Sequence, residues 1–321
     1  MRTLTISKYS DLTDEQWRRV AATAVRRVKQ ITGERCQIGI GPKYTRGRST
    51  SRLSVRVYLD RKLDRVAVRK RLPEHFRLRL RRPDGRYDVI HIATDVEPLT
   101  DFVPTGARVR HRDGEATTGL LVRWIEADEV GWGFLVPAHF FAGTRLCSVT
   151  VRADRSTRFL CRRRATARKR DRVDVAVLQI RGKRDEIESK LMATEWIKSL
   201  APRGLKFVST RVVHRNAVRQ RRGTTFAVKW NRAFTAEEVF PNGFRLGERL
   251  LDDCIRVGRA RKETFRPGTS GSMWRLSTDV ACLQVGGRQP EFREGIGQPI
   301  DRISRWFRSR FGDQAHLVAA F

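Results

Sequence analysis

The stretch Phe265 to Trp274 reads F-R-P-G-T-S-G-S-M-W, and the fold turns on how it is read. Pro267 and Gly268 precede Thr269 and Ser270, and Gly271 follows, which is the composition of a tight turn; the apolar Met273 and Trp274 behind it open a strand. Glycine reaches backbone dihedrals closed to other residues, so such a turn can push one hydroxyl outward and aim successive amide N–H groups into one concavity. Acyl-transfer chemistry asks for those surroundings: an exposed oxygen beside a preformed pocket for developing negative charge. The same string also reads as a Gly/Ser loop with no chemistry, and the rest of the chain has to decide.

Two upstream segments bear on that decision. In V-P-A-H-F, His139 follows the apolar run Trp132 to Val136, where a buried strand is expected to end. In D-V-A-V-L-Q-I, Asp174 stands at the mouth of another expected buried strand. A serine hydroxyl is a poor nucleophile at neutral pH until an imidazole accepts its proton, and the imidazole needs a carboxylate to fix its tautomer and stabilise its charged form. All three residue types are present, in the chain order His, Asp, Ser.

With V-P-A-H-F, D-V-A-V-L and G-T-S-G-S in that order, the chain resembles the trypsin-like, chymotrypsin-fold serine peptidases, whose motifs are A-A-H-C, D-I-A-L-L and G-D-S-G-G. Ala281 to Gly287 is similar to the strand lining that family's specificity pocket, and Glu294 to Phe307 to its last strand and closing helix. The resemblance covers about residues 105 to 312. It implies a mainly β fold, a double antiparallel β-barrel of chymotrypsin type in residues 101–321, preceded by a small α+β domain of unknown role in residues 1–100. It implies that His139 is general base and then acid, that Asp174 orients it, and that Ser270 is the nucleophile. The Gly268 and Ser270 amides would form the oxyanion hole; Thr264, Val285 and Gly286 would lie at the specificity pocket. The implied reaction hydrolyses a protein or peptide substrate through an acyl-enzyme, with no cofactor and no metal. Thr269 replaces the acidic residue that secreted members use in zymogen activation, so that route is not carried over. Thr264 replaces the acid of trypsin, so its specificity is not carried over either. Phe140 stands where secreted members have a cysteine.

The chain has 321 residues and a net charge of +32, which predicts attraction to polyanions. The charge is spread along the chain, so nucleic-acid binding is expected to be non-specific. No apolar run is long enough to cross a membrane, and the start lacks the apolar core of a secretory signal. Five cysteines, an odd number without metal-ligand spacing, read as buried free thiols of a reducing compartment. A cytoplasmic location is expected.

Taken in order, T-D-E-Q at Thr13 to Gln16 is a capping box. Apolar residues at helical spacing run from Trp17 to Ile31, and Gly33 supplies a stop, so an amphipathic helix is predicted. Strands are predicted at Arg35 to Ile40, Leu53 to Leu59, Phe76 to Leu80 and Tyr87 to Ile92, with a linker at Asp95 to Thr105. Further strands are predicted at Gly119 to Trp124, Gly131 to Pro137, Leu146 to Val151 and Val173 to Ile180, and a helix at Asp185 to Leu200. Arg158 to Arg172 reads as a dense basic loop. It is either a solvated face or a docking site for an acidic protein partner or substrate, through Arg162, Arg163, Arg164, Arg168 and Arg170. His214, alone in a basic stretch, lacks the strand-end context of His139. A protease-fold protein without turnover, binding an acidic partner or nucleic acid, is the alternative.

Overall fold

The computed structural model describes residues 2–6, 11–33, 36–45, 48–59, 72–81, 85–98, 102–104, 120–141, 148–152, 157–193, 205–207, 223–227, 230–258, 265, 270–271, 273–276, 279–289 and 293–320. After β1 (Arg2–Thr5), α1 (Asp14–Thr32) starts where the sequence places it. The Thr13 side chain accepts from the Gln16 amide and the Gln16 side chain accepts from the Thr13 amide; Gly33 closes the helix in a left-handed conformation. Trp17, Val20, Ala21, Ala24 and Val28 form its buried stripe. That stripe covers β2 (Cys36–Thr45), β3 (Arg48–Leu59), β4 (His75–Arg81) and β5 (Tyr87–Pro98), which present Ile38, Ile40, Val55, Val57, Phe76, Leu78 and Ile90 to the same core. Each large side chain fully buried there contributes about 1.5–3 kcal/mol relative to exposure.

The expected linker is strand over much of its length. Asp95 to Pro98 continue β5 in parallel register with β3, and β6 (Phe102–Pro104) pairs with β19 (Asp279–Arg288). Proline lacks a donor but is tolerated at strand ends, where Pro98 and Pro104 fall. The two prolines therefore punctuate strands and do not interrupt the sheet.

The chain continues through β7 (Leu121–Glu126), β8 (Glu129–Val136), β9 (Ser148–Arg152), β10 (Arg158–Thr166) and β11 (Ala176–Ile180). Next come α2 (Arg184–Met192), β12 (Leu205–Phe207), β13 (Gly223–Ala227), β14 (Trp230–Val239), β15 (Phe244–Leu246), β16 (Arg249–Leu251) and β17 (Ile255–Gly258). The series ends with β18 (Met273–Leu276), β19, β20 (Gly295–Pro299), α3 (Ile300–Phe311) and β21 (His316–Ala320). The fold is mainly β. One sheet runs β12-β21-β7-β8-β11-β10-β9, and its ends are open among the described residues. The other runs β1-β5-β3-β2-β14-β13-β18-β19-β20-β17, and β14 also pairs with β17, so the last six strands form a circuit of pairings that returns to β14.

The first 100 residues share this second sheet with the rest, through the pairing of Val239 with Ile40. A buried ionic cluster sits at the same seam. Glu238 accepts from Arg56 at 3.0 Å and from the Tyr58 hydroxyl at 2.6 Å, and Arg256 lies 3.1 Å away. Gly39 makes the room: a Cβ there would stand 1.7 Å from Glu238 Oε1. Burial, and then the Glu238 charge, push the Tyr58 hydroxyl well above its ordinary range, so it stays a donor.

One prediction fails for an instructive reason. The stretch read as a basic loop is strand β10 up to Thr166, followed by a short 3-10 turn at Lys169–Asp171. Phe159, Cys161 and Ala165 point inward while Arg158, Leu160, Arg162 and Arg164 point out. The period-2 signal was present, but the arginines on the outer face hid it.

Candidate active site

Strands β8 and β11 are antiparallel neighbours with Val136 opposite Ala176. The 3-10 turn Ala138–Phe141 follows one strand and Asp174 precedes the other, so both leave the sheet at the same end. This register is why His139 meets Asp174. Asp174 Oδ2 pairs with His139 Nδ1, and Oδ1 accepts the His139 backbone amide at 2.9 Å. The carboxylate is 1% exposed and the imidazole 10%.

Burial by itself would raise the Asp174 pKa. The His139 charge and hydrogen bonds, with Arg249 Nε at 3.8 Å from Oδ1, outweigh burial and hold it below the ordinary carboxylate value. An ionised aspartate on Nδ1 fixes the tautomer that leaves Nε2 as the proton acceptor. Two positioning groups were missed in the sequence. Gln298, buried in β20, accepts from the Asp174 amide at 2.8 Å and donates to the Arg172 carbonyl at 3.0 Å. Arg249 donates to the Ala167 and Val173 carbonyls while facing Asp174. Neither carries a sequence signal beyond a polar residue in a strand, because each is recruited from a distant part of the chain.

Ser270 lies in the predicted turn, beside Gly271 at φ 97°, just ahead of β18. Its hydroxyl donates to the Val285 carbonyl at 3.3 Å, and the residue is 0% exposed. The Gly271 amide donates to the Gln284 carbonyl at 2.9 Å. The serine turn is thus anchored on β19, whose Leu283 pairs with Gln298 of β20, the residue that holds Asp174. Val285 packs its side chain into a core with Tyr58, Phe240 and Ile296. Gly286 lies in β19 between Pro104 and Ile296. Gly268, Thr264, Thr269 and His214 lie outside the described residues, and so does Cys147.

Of the expected docking arginines, Arg162 turns to Gln179, while Arg163, Arg164, Arg168 and Arg170 line a groove of about 600 Å³ with Arg249 and Arg310. Arg164 is bound to Glu126 in two contacts at 2.8 and 2.7 Å. Ala138, the neighbour of His139, forms part of the same wall. Among the described residues no cluster of His, Cys, Asp and Glu could hold a metal ion, and no helix is long and apolar enough to cross a membrane. No protein-family model matches the chain, and no curated protein matches it. The functional reading therefore rests on this geometry and on the resemblance of the motifs.

Proposed function

We propose that the chain is a trypsin-like serine peptidase acting through His139, Asp174 and Ser270. The observation that carries this reading is the buried, ionised Asp174 set against Nδ1 of a histidine at the end of a strand, in the motif order the family uses. The circuit of six pairings through β13, β14 and β17 to β20 is what one closed barrel of a double-barrel fold would leave; β7 to β11 would belong to the other. In the reaction, Ser270 Oγ attacks the substrate carbonyl carbon and passes its proton to His139 Nε2. The carbonyl oxygen takes the negative charge, and the Gly268 and Ser270 amides stabilise it. When the C–N bond breaks, His139 returns the proton to the leaving amine. Water, deprotonated by the same imidazole, then frees the acid from the acyl-enzyme. To attack, Ser270 must first give up its hydrogen bond to the Val285 carbonyl, a rotation costing about 1 kcal/mol. Acidic segments of a protein substrate would dock on the groove of Arg163, Arg168 and Arg170. The free thiols at Cys36, Cys161, Cys254 and Cys282 fit a reducing, cytoplasmic compartment.

One observation favours a second reading. A nucleophile with 0% exposure and an occupied hydroxyl is also what a protease-fold protein without turnover would show, with the arginine groove binding an acidic partner. Hydrolysis of a mixed peptide library separates the two. The peptidase reading expects activity in the full chain and a similarly low residue of it in Ser270→Ala, His139→Ala and their double variant, because the groups act as a unit. Activity that survives Ser270→Ala, or none in the parent chain, favours the second.

A further inference from the structure

A concentration of positive charge without carboxylates in its lining lies away from His139, on the edge of the sheet that holds β1 to β5. A groove of about 980 Å³ between α1 and β4 is lined by Arg19, Arg26, Arg27, Arg77, Arg79 and Arg81, and by no carboxylate. All six are exposed. Arg19 pairs with Glu15 at 2.6 Å, and none of the other five has a carboxylate partner among the described residues.

The register orders these cations. Along β4 the burial alternates, so Phe76, Leu78 and Leu80 face α1 while Arg77, Arg79 and Arg81 face out, each roughly 6.8 Å from the next. On β5 their direct partners are His91, Val89 and Tyr87. Residues opposite one another across an antiparallel ladder share a face, so one face carries the three arginines, the imidazole and the phenol ring. Tyr87 is 49% exposed, and it is the one aromatic among the exposed large apolar residues of the described chain. Across the groove, Arg19, Thr23 and Arg26 follow helical spacing on one side of α1. On its outer side β4 has no paired strand among the described residues, and the ladder stands at the sheet edge.

We infer that this face binds a single-stranded nucleic acid without sequence preference, its phosphates along the arginine ladder and one base stacked on Tyr87. The ladder spacing is of the order of the separation between successive phosphates in an extended strand. Guanidinium groups match phosphate oxygens through paired N–H donors. An open ring beside such a track is the arrangement that receives a base from a single strand, whereas a duplex keeps its bases stacked and paired. A carboxylate-rich peptide would use the arginines and leave the ring idle, which makes it the weaker fit. The inference does not depend on the peptidase reading, since it uses none of the residues around His139.

The test is fluorescence anisotropy on the full chain with a fluorescein-labelled uridine oligomer, titrated at several salt concentrations. Arg77→Gln/Arg79→Gln/Arg81→Gln should weaken binding at least tenfold at low salt and flatten the log–log salt slope by about 2, because each phosphate contact in a single strand contributes about 0.7. Tyr87→Ala should weaken binding about tenfold with the slope unchanged, as expected for a lost stacking contact. Arg26→Gln/Arg27→Gln, on the opposite wall, gives an independent loss should the strand variant be unstable, and Ser270→Ala should bind like the parent. Four results would each overturn the inference: no binding by the parent chain, affinity unchanged in both arginine variants, a silent Tyr87→Ala, or a polyglutamate peptide displacing the oligomer at equal charge.

Discussion

The chemistry proposed here narrows to one carboxylate. Asp174 is held ionised against burial by His139 and Arg249, so Asp174→Asn should keep the geometry but invert the tautomer of His139, with a loss in kcat of about 10⁴-fold. Steady-state hydrolysis checks this; a loss below tenfold would mean that Asp174 only packs. The same shift has a consequence for stability. A carboxylate whose folded pKa is depressed contributes stability that is present above its unfolded value, near 3.8, and is lost as pH falls through the lower folded value. Arg249→Gln removes one of the groups that depress it, so the variant should be less stable above pH 4 and should begin acid unfolding at a higher pH than the parent. Urea midpoints measured between pH 3 and 7 give the answer, and identical curves would remove Arg249 from the account. The meeting of His139 with Asp174 was legible because each sits in a short motif beside an apolar run, as Ser270 does in its turn. Arg249 and Gln298 were not, because their roles follow from strand pairings that no local pattern encodes.

Legibility among the elements follows the same division. Helix α1 was readable to within a residue, since its capping box and glycine stop are chemical signals local to the ends. Strand β10 was not, because four arginines among nine residues outweighed the alternation of Phe159, Cys161 and Ala165. The helix expected at Asp185 to Leu200 is seen from Arg184 to Met192, and residues 194–200 are outside the described set. The seam between β2 and β14 could not be anticipated either: Glu238 is buried only because Gly39 leaves space and Arg56, Tyr58 and Arg256 converge on it. Gly39→Ala should therefore displace a buried carboxylate that Arg56, Tyr58 and Arg256 hold through Oε2, and cost about 3 kcal/mol of stability, the scale of breaking a buried ion pair. A shift below 1 kcal/mol in urea denaturation would show that the cluster can rearrange cheaply.

On the scale of the whole molecule, the first 100 residues and the remainder share a sheet, an ionic seam and one apolar core that runs from Trp17 to Phe307. Arg18 of α1 and Arg302 of α3 also meet on Asp253. Thermal unfolding of the full chain should accordingly be a single transition, and residues 101–321 expressed alone should lack it; two separated transitions in calorimetry would contradict this. The proposed function also belongs to this scale, because the His139–Asp174 pair stands on one sheet and Ser270 is anchored on the other. The central claim is that the two sheets deliver that serine to that histidine. The most direct measurement is mass-spectrometric mapping of the chain after exposure to a fluorophosphonate, which reacts at a useful rate only with a hydroxyl activated by an adjacent base. The account predicts one adduct, on Ser270, absent from His139→Ala. An unlabelled chain, or an adduct on Ser270 that persists in His139→Ala, would contradict it.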